Sequence, residues 1–501
     1  MKKTVKLTIA LLAICMVACL SSCSKGGADV LKYVPADAVG MAYFDGEMAL
    51  EQAGYKDGKV GEPLKGFLEK NGADLSDAKV KDVLNVVSMF TVKGAAFYKN
   101  DQVWVILGLK DTKSLIDYLV KDQDFVQDKE EGIVYVEKDK GYIMFRDDMA
   151  FACIDLEKGR PVLETDGLKE LCNLGDNSFA DNEKTSEIAK RIVEEQMTLY
   201  AIANLDKVQG MVNESDFNNF MIGLSAIFNN PKYASLESIC TEKGSSVTVR
   251  VLDKDYKGAK CSLPFGKIDA NALPYAAVSD NCVAGALAMP SSMVNKVIDM
   301  VGMFMQTEEL SMIGKIDGTI AVTCNPKPTN DNDIAALVVT TKGNSDAVAL
   351  GDYINLNLGS SSFPLRCSTS DKYLRISMKD SSNASGDVKY AAEVLSGKIA
   401  GIVIDYNKLG KHLGIGGDFE DFGVCSVCLE SVDGSVVLKL DWKCDNPIKK
   451  SFKMMELLQN ADNLFDNIGF AQPRYDIPLD TLEYEVVEPA AYDYIDDEFY
   501  Y

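Results

Sequence analysis

The chain is 501 residues long, with 52 basic and 75 acidic side chains, a formal net charge of −23 and 47% apolar residues. Such acidity repels phosphate backbones and suits anionic lipid head groups poorly, so nucleic acid is excluded as a partner and basic patches as a membrane attachment. The apolar share is that of a globular protein, and the length predicts two or more domains.

Residues 1–22 read as an export signal: Lys2, Lys3 and Lys6, a 14-residue apolar core over 7–20, then small residues. A spanning helix needs about 20 apolar residues, so the run is too short for a permanent anchor. Its end, "LSSC" (residues 20–23), resembles the bacterial lipobox. The resemblance implies diacylglycerol on the Cys23 sulfur, cleavage before Cys23, and acylation, as with palmitate, of the new amino terminus. One acyl chain binds a membrane marginally, whereas two or three hold it stably. The plainer alternative is a secretory signal with incidental cysteines, since Cys15 and Cys19 lie in the same run. Ser24 stands where enterobacterial lipoproteins retained at the inner membrane carry Asp, and "SKGGAD" lacks the dense acidic cluster of many surface-exposed Bacteroidota lipoproteins. A lipid-anchored site in the cell envelope, at the outer membrane facing the periplasm, is expected. Loss of residues 1–22 leaves 49 basic against 75 acidic side chains.

A short tether (23–30) precedes "LKYVPADAVGMAYFD" (31–45), a Pro-containing turn and an apolar strand. The stretch "GKVGEPLKGFLEKNGADLSDAKVKDVL" predicts two short helices. "GAAFYKNDQVWVILGLKDTKSLIDYL" (94–119) reads strand, turn, strand, helix. "LYAIANLDKV" (199–208) reads strand then helix, and "SICTEKGSSVTVRVLDKD" (238–255) is a hairpin with a Gly turn. The same landmarks return in the same order. "LPYAAVSDNCVAGALAMP" begins at 273 and is followed by a Ser-capped helix in "SSMVNKVIDMVGMFM". Then come "GTIAVTCNPKPTNDNDIAALVVTTKGNSDAVALGDYI" (318–354), "AGIVIDYNKL" (400–409) and "SVCLESVDGSVVLKLDWK" (426–443). Four correspondences in one order predict an internal duplication.

The expected class is α+β, two related halves (31–268 and 269–465), each an antiparallel sheet with helices packed against it. An amphipathic helix is predicted over 448–465, and an acidic, Tyr-rich tail over 466–501. After Arg474 that tail holds nine acids, six tyrosines and no base. Such composition reads as disorder or loose docking, or as a recognition tail. Its "DTL" (480–482) resembles the short O-glycosylation motif used in Bacteroidota.

Chemistry-bearing motifs are sparse. After the signal there is one histidine, His412, in a glycine-rich stretch that predicts a solvated loop. A His-rich zinc site and an HExxH helix are therefore excluded, and any triad would have to use this residue. "GIGGDF" (414–419) has Phe419 where a dinucleotide loop requires Gly, and reads as a turn. No GxxxxGK[ST] or GxSxG occurs. "CSVC" (Cys425, Cys428) has redox spacing, but its surroundings read as a strand, on which i and i+3 point to opposite faces. The ten cysteines after Cys23 are irregularly spaced, and several lie in strand-like text, which predicts buried free thiols. The acidic clusters "DFEDF" (418–422) and "TNDNDI" (329–334) depart from the EF-hand pattern and read as solvated loops. No catalytic, cofactor-binding or metal-binding residue is assigned.

The lipobox, the Pro-Ala-Asp-Ala opening at 35–38 in "YVPADAVGMAYFDGEMALEQAG", and a duplicated body of this length together resemble a Bacteroidota lipoprotein family of unknown function. The resemblance implies an envelope location and brings no catalytic residues. The expected function is a non-enzymatic binding or scaffolding module, held to the membrane by lipidated Cys23, whose partner is another envelope protein. The alternative is a carboxylate-dependent hydrolase of envelope glycan or peptide. A cleft with two converging carboxylates would favour the enzyme, and a broad apolar surface patch would favour binding.

Overall fold

The computed structural model describes residues 27–46, 51–52, 55–56, 59–61, 65, 89–130, 132–208, 214–301, 307–325, 334–357, 365–377, 386–413 and 421–459. Cys23, the signal, "GIGGDF" and the tail lie outside them, as do most of the two helices predicted before residue 89. Of the acidic clusters only Ile334, Asp421 and Phe422 are described. The chain divides into a compact unit, Met1–Met455, and a short one, Glu456–Tyr501, whose described part is the end of helix Pro447–Gln459. That helix matches the amphipathic one expected from 448, and Asn446 caps it by accepting the Lys449 N–H at 3.0 Å.

The class is α+β, built on one large antiparallel sheet. In the first half the strands are β1 (Gly40–Asp45), a separate small hairpin of β2 (Tyr55–Lys56) and β3 (Lys59–Val60), β4 (Phe90–Lys99), β5 (Gln102–Leu109), β6 (Val126–Glu130), β7 (Ile133–Lys138), β8 (Gly141–Arg146), β9 (Met149–Asp155), β10 (Arg160–Val162), β11 (Leu199–Asn204), β12 (Tyr233–Thr241) and β13 (Gly244–Leu252). The second half contributes β14 (Val283–Met289), β15 (Ile316–Cys324), β16 (Ala335–Thr341), β17 (Arg366–Ser370), β18 (Tyr373–Ser377), β19 (Ala400–Asp405), β20 (Val424–Val432) and β21 (Ser435–Lys443).

In the first half β1 is central. It pairs on one side with β4, then β5, β9, β8, β7 and β6, and on the other with β11, then β12 and β13. In the second half β14 pairs on one side with β15, then β16, β18 and β17, and on the other with β19, then β20 and β21. The four recurring sequence landmarks thus occupy the same places in two successions of pairings. The last strands of the two halves, β13 and β21, pair with each other from Ser245↔Trp442 to Arg250↔Val437 and make one continuous sheet.

Each half packs its main core under helices on one shared face of the sheet. The first core brings Tyr43, Phe97, Trp104, Phe151 and Tyr200 under Leu168, Leu171, Ala189 and Ile192 of helices Thr165–Cys172 and Ser186–Glu194. Val30 and Leu31 belong to this core at 1% and 0% exposure, within a helix Gly27–Leu31, so the packed body begins inside the span read as a tether. The second core is built of smaller residues. Ala284, Ala286 and Ala288 alternate along β14 and let helix Lys389–Leu395 lie against the strand, while helix Leu273–Ala276 lies over β15 and β16. Helix Ser291–Val301 is capped from a distance: the Ser291 N–H donates to the Asp317 carboxylate at 2.8 Å. Gly423, at φ +69°, opens β20 where a Cβ would lie 1.9 Å from the Lys443 carbonyl oxygen, so only glycine fits that approach.

The β13–β21 ladder is central to the sheet, and proline can neither donate to a ladder nor sit in such a strand without disrupting it. Val249→Pro, between Leu236 and Leu438, is expected to cost on the order of 3 kcal/mol or more. Urea unfolding checks this, and a wild-type midpoint would mean that the halves hold together without the ladder.

Candidate binding face

Side chains alternate across a strand, so directly paired residues lie in rows on one face of a sheet. On the face opposite the two cores, one row runs Leu199, Ser238, Val247, Leu440, Val427, Ile402 from β11 to β19. The adjacent row runs Leu236, Val249, Leu438, Leu429, Ala400, Leu287 from β12 to β14. Neither row holds a charge, and Ser238 is the one polar side chain. Strands lie about 4.8 Å apart, so this stretch of seven strands spans about 29 Å.

The same rows continue under helices at both ends. Phe44 lies opposite Leu199, Gly94 opposite Phe44, Leu107 opposite Gly94 and Ala150 opposite Leu107. There Leu115, Ile116 and Leu119 of helix Thr112–Asp122 cover Leu107 and Ala150. Towards the other end Val322 faces Gly285, Leu337 faces Val322, and Ile320 faces Leu287. Ala347 and Leu350 of helix Asn344–Asn357 pack with Leu337 and Ile320. Between these helices the rows lie open: Ile402 is 53% exposed, Leu438 40%, Leu287 and Val427 39%, Leu199 37% and Leu440 36%. Along one margin helix Glu214–Ile227 seats Leu224 and Ile227 with Phe228 against Val251, Val436 and Leu429, while its Phe220 and Ile222 stand exposed.

The reverse face of the same central strands is ionic. Glu237 on β12 accepts from Arg191 and from Arg250 at 3.3 Å, Lys398 pairs with Glu430 at 2.8 Å, and Lys439 with Asp441 at 3.0 Å. "VTVRVL" and "LKLDW" therefore alternate in the inverse of the usual sense: Thr248, Arg250, Lys439 and Asp441 take the side that carries the helical cores, and Val247, Val249, Leu438 and Leu440 face outward. The pattern is visible in the sequence, but there it signals only that the two faces differ.

The residues singled out in the sequence are not brought together. His412 lies on helix Tyr406–Leu413, not in a solvated loop, and its Nε2 sits 2.7 Å from the Asp280 carbonyl oxygen. Local amphipathicity of "YNKLGKHL" outweighs the glycines that follow it. Cys425 and Cys428 do fall on opposite faces of β20: Cys428 enters the second core at 4% exposure, and Cys425 is half-buried beside Trp442 on the other face. All ten described cysteines are free thiols. Among the described residues no group of three His, Cys, Asp or Glu side chains is placed to hold a metal, and no helix is long and apolar enough to cross a membrane. A cleft of about 360 Å³ between helix Thr112–Asp122 and β7–β8 is lined by Thr112, Ile116, Gly132, Val134, Phe145, Arg146 and Asp147, and so presents a single carboxylate. Glu237 is the buried carboxylate among the described residues, and two guanidinium groups occupy it.

No family model matches the chain, and no curated relative matches it. Two solved structures of TP0453 are similar to part of it, each at 12% identity. Crystal form III has a TM-score of 0.28 and covers 44% of this chain and 80% of its own. Crystal form I has a TM-score of 0.26 and covers 48% and 81%. Scores this low carry no argument about fold or function.

Burial pushes the Cys153 thiol up from 9.0 to about 12 and those of Cys240, Cys282, Cys367 and Cys444 to about 11. The native chain at about pH 8 is therefore expected to react with a thiol–disulfide reagent far more slowly at these positions than the urea-unfolded chain. The folded state also holds these protons more tightly, so stability from this source is undiminished below about pH 9 and falls as pH rises from there towards 11 to 12. Labelling followed by peptide mass mapping checks the rates. Fast labelling of Cys153 or Cys240 in the native state would contradict their burial.

Proposed function

We propose that the protein is an envelope lipoprotein, held to the membrane through lipidated Cys23, that acts as a non-enzymatic binding module for another envelope protein. The observation that carries the reading is the open, uncharged pair of rows on the outer face of the central strands, with Ile402, Val427, Leu438 and Leu440 each more than a third exposed. Contiguous apolar surface costs solubility and marks interaction sites on soluble proteins, and burying one Leu or Ile there would contribute about 1.5–3 kcal/mol. The rows cross the seam between the halves, so neither half alone could form the face. The matching pairing orders around β1 and β14 support an origin of the halves by duplication, with the joint face as its product. The "LSSC" ending at Cys23 and the Pro-Ala-Asp-Ala opening support the anchor, the outer-membrane site and kinship with the Bacteroidota lipoprotein family.

The test combines anchor and face. A photo-crosslinking residue at Val427, used in living cells, is expected to give one discrete protein adduct, lost on combining Ile402→Asp with Leu440→Asp. Exposed substitutions of this kind change stability by only about 0.5 kcal/mol, so an unchanged unfolding midpoint separates lost binding from lost folding. An adduct that survives both aspartates would reject the face. Cys23→Ala is expected to abolish metabolic labelling with palmitate and release the protein from membranes. Labelling that persists in that variant would reject the anchor.

A further inference from the structure

We infer that the open stretch of the outer face is a slot for one amphipathic helix with a basic polar side, supplied by the partner protein. The inference rests on the binding-face reading and names what fills it. The protein's own packing supplies the first reason. Helices Thr112–Asp122 and Asn344–Asn357 already lie on these same rows at either end, so a helix is what this surface accepts, and among the described residues the middle is the part left without one. Dimensions supply the second. An open length of about 29 Å equals about 20 residues of α-helix at 1.5 Å per residue. Exposed Phe220 on helix Glu214–Ile227 lies one turn before Leu224, which packs in one cluster with Leu429 of the floor, and so extends the apolar margin.

Charge decides the rest. An uncharged floor offers nothing to a head group or a carboxylate, so the contacting side of the occupant is apolar. Around it the chain carries a formal charge of −23. That field repels a second copy of the same chain and favours lysine and arginine on the solvent side of whatever docks. An open face also suits a small apolar ligand poorly, because such ligands are usually buried over about 70–90% of their surface, whereas a helix needs only one face covered.

The experiment uses the full chain, purified from its own membranes into vesicles of neutral phosphatidylcholine. Three labelled peptides of about 20 residues share one composition scheme: leucines at helical spacing with lysines elsewhere, the same with glutamates, and the lysine peptide scrambled. Fluorescence anisotropy is expected to show binding of the patterned lysine peptide, with the other two at least about tenfold weaker. Ile402→Asp and Leu440→Asp should each weaken it by about tenfold or more, while Val126→Asp, on the exposed edge strand β6, leaves it unchanged. Equal binding of patterned and scrambled peptides, or of wild type and Leu440→Asp, would reduce the effect to bulk charge and overturn the inference. So would saturable binding of a fluorescent fatty acid that excludes the peptide. If no peptide binds but the Val427 adduct forms in cells, the helix inference falls and the binding face stands. If the adduct is absent too, both fall.

Discussion

The antiparallel pairing of β13 with β21 is the constraint on which the rest of the structure depends. It joins the last strand of each half and turns two sheets into one. Its register is strongly specified, because a slip of one residue would move every side chain to the opposite face. If β21 slipped by one residue, Leu438 and Leu440 would change places with Lys439. The ionic contacts of Arg191, Glu237 and Arg250 add little net stability at such a site. Breaking one partner away would be costly, and that penalty favours the observed register of β12 on β13, the strand that β21 joins.

The two halves fill their cores differently while repeating one order of pairings. Aromatic side chains occupy the first, with Tyr43, Trp104, Phe151 and Tyr200 nearly inaccessible to solvent. Alanines occupy the second along β14 and at Ala321. Leu287, Ile402, Val427 and Leu440 of the second half lie on the outer face. The rows run unbroken across the seam, so both halves contribute side chains to the open apolar face.

Thiols illustrate how burial separates reactive-looking sequence from reactive chemistry. The Cys425–Cys428 spacing matches a redox motif, yet β20 sends the two sulfurs to opposite faces, and burial raises both pKa values. A thiol so placed is a poor nucleophile, and Cys428 serves as a small apolar residue against Val403 and Leu395.

The sequence by itself determined the α+β class, the hairpins, and the order of landmarks that recurs in the second half, because these depend on local periodicity and turn chemistry. Alternation in "SICTEKGSSVTVRVLDKD" and "SVCLESVDGSVVLKLDWK" was enough to place β12–β13 and β20–β21. It also supplied the resemblance of "LSSC" to a lipobox, a local feature that needs no fold. Tertiary structure decided what local pattern could not. The Pro-Ala-Asp-Ala turn and the helix before it are drawn into the first core by Val30 and Leu31, contacts with strands far along the chain. His412 is held by a carbonyl 132 residues away. The open apolar face depends on which side of β13 and β21 the helices cover. Alternation says that the two sides of a strand differ, and only the packing of distant elements decides which of them meets solvent.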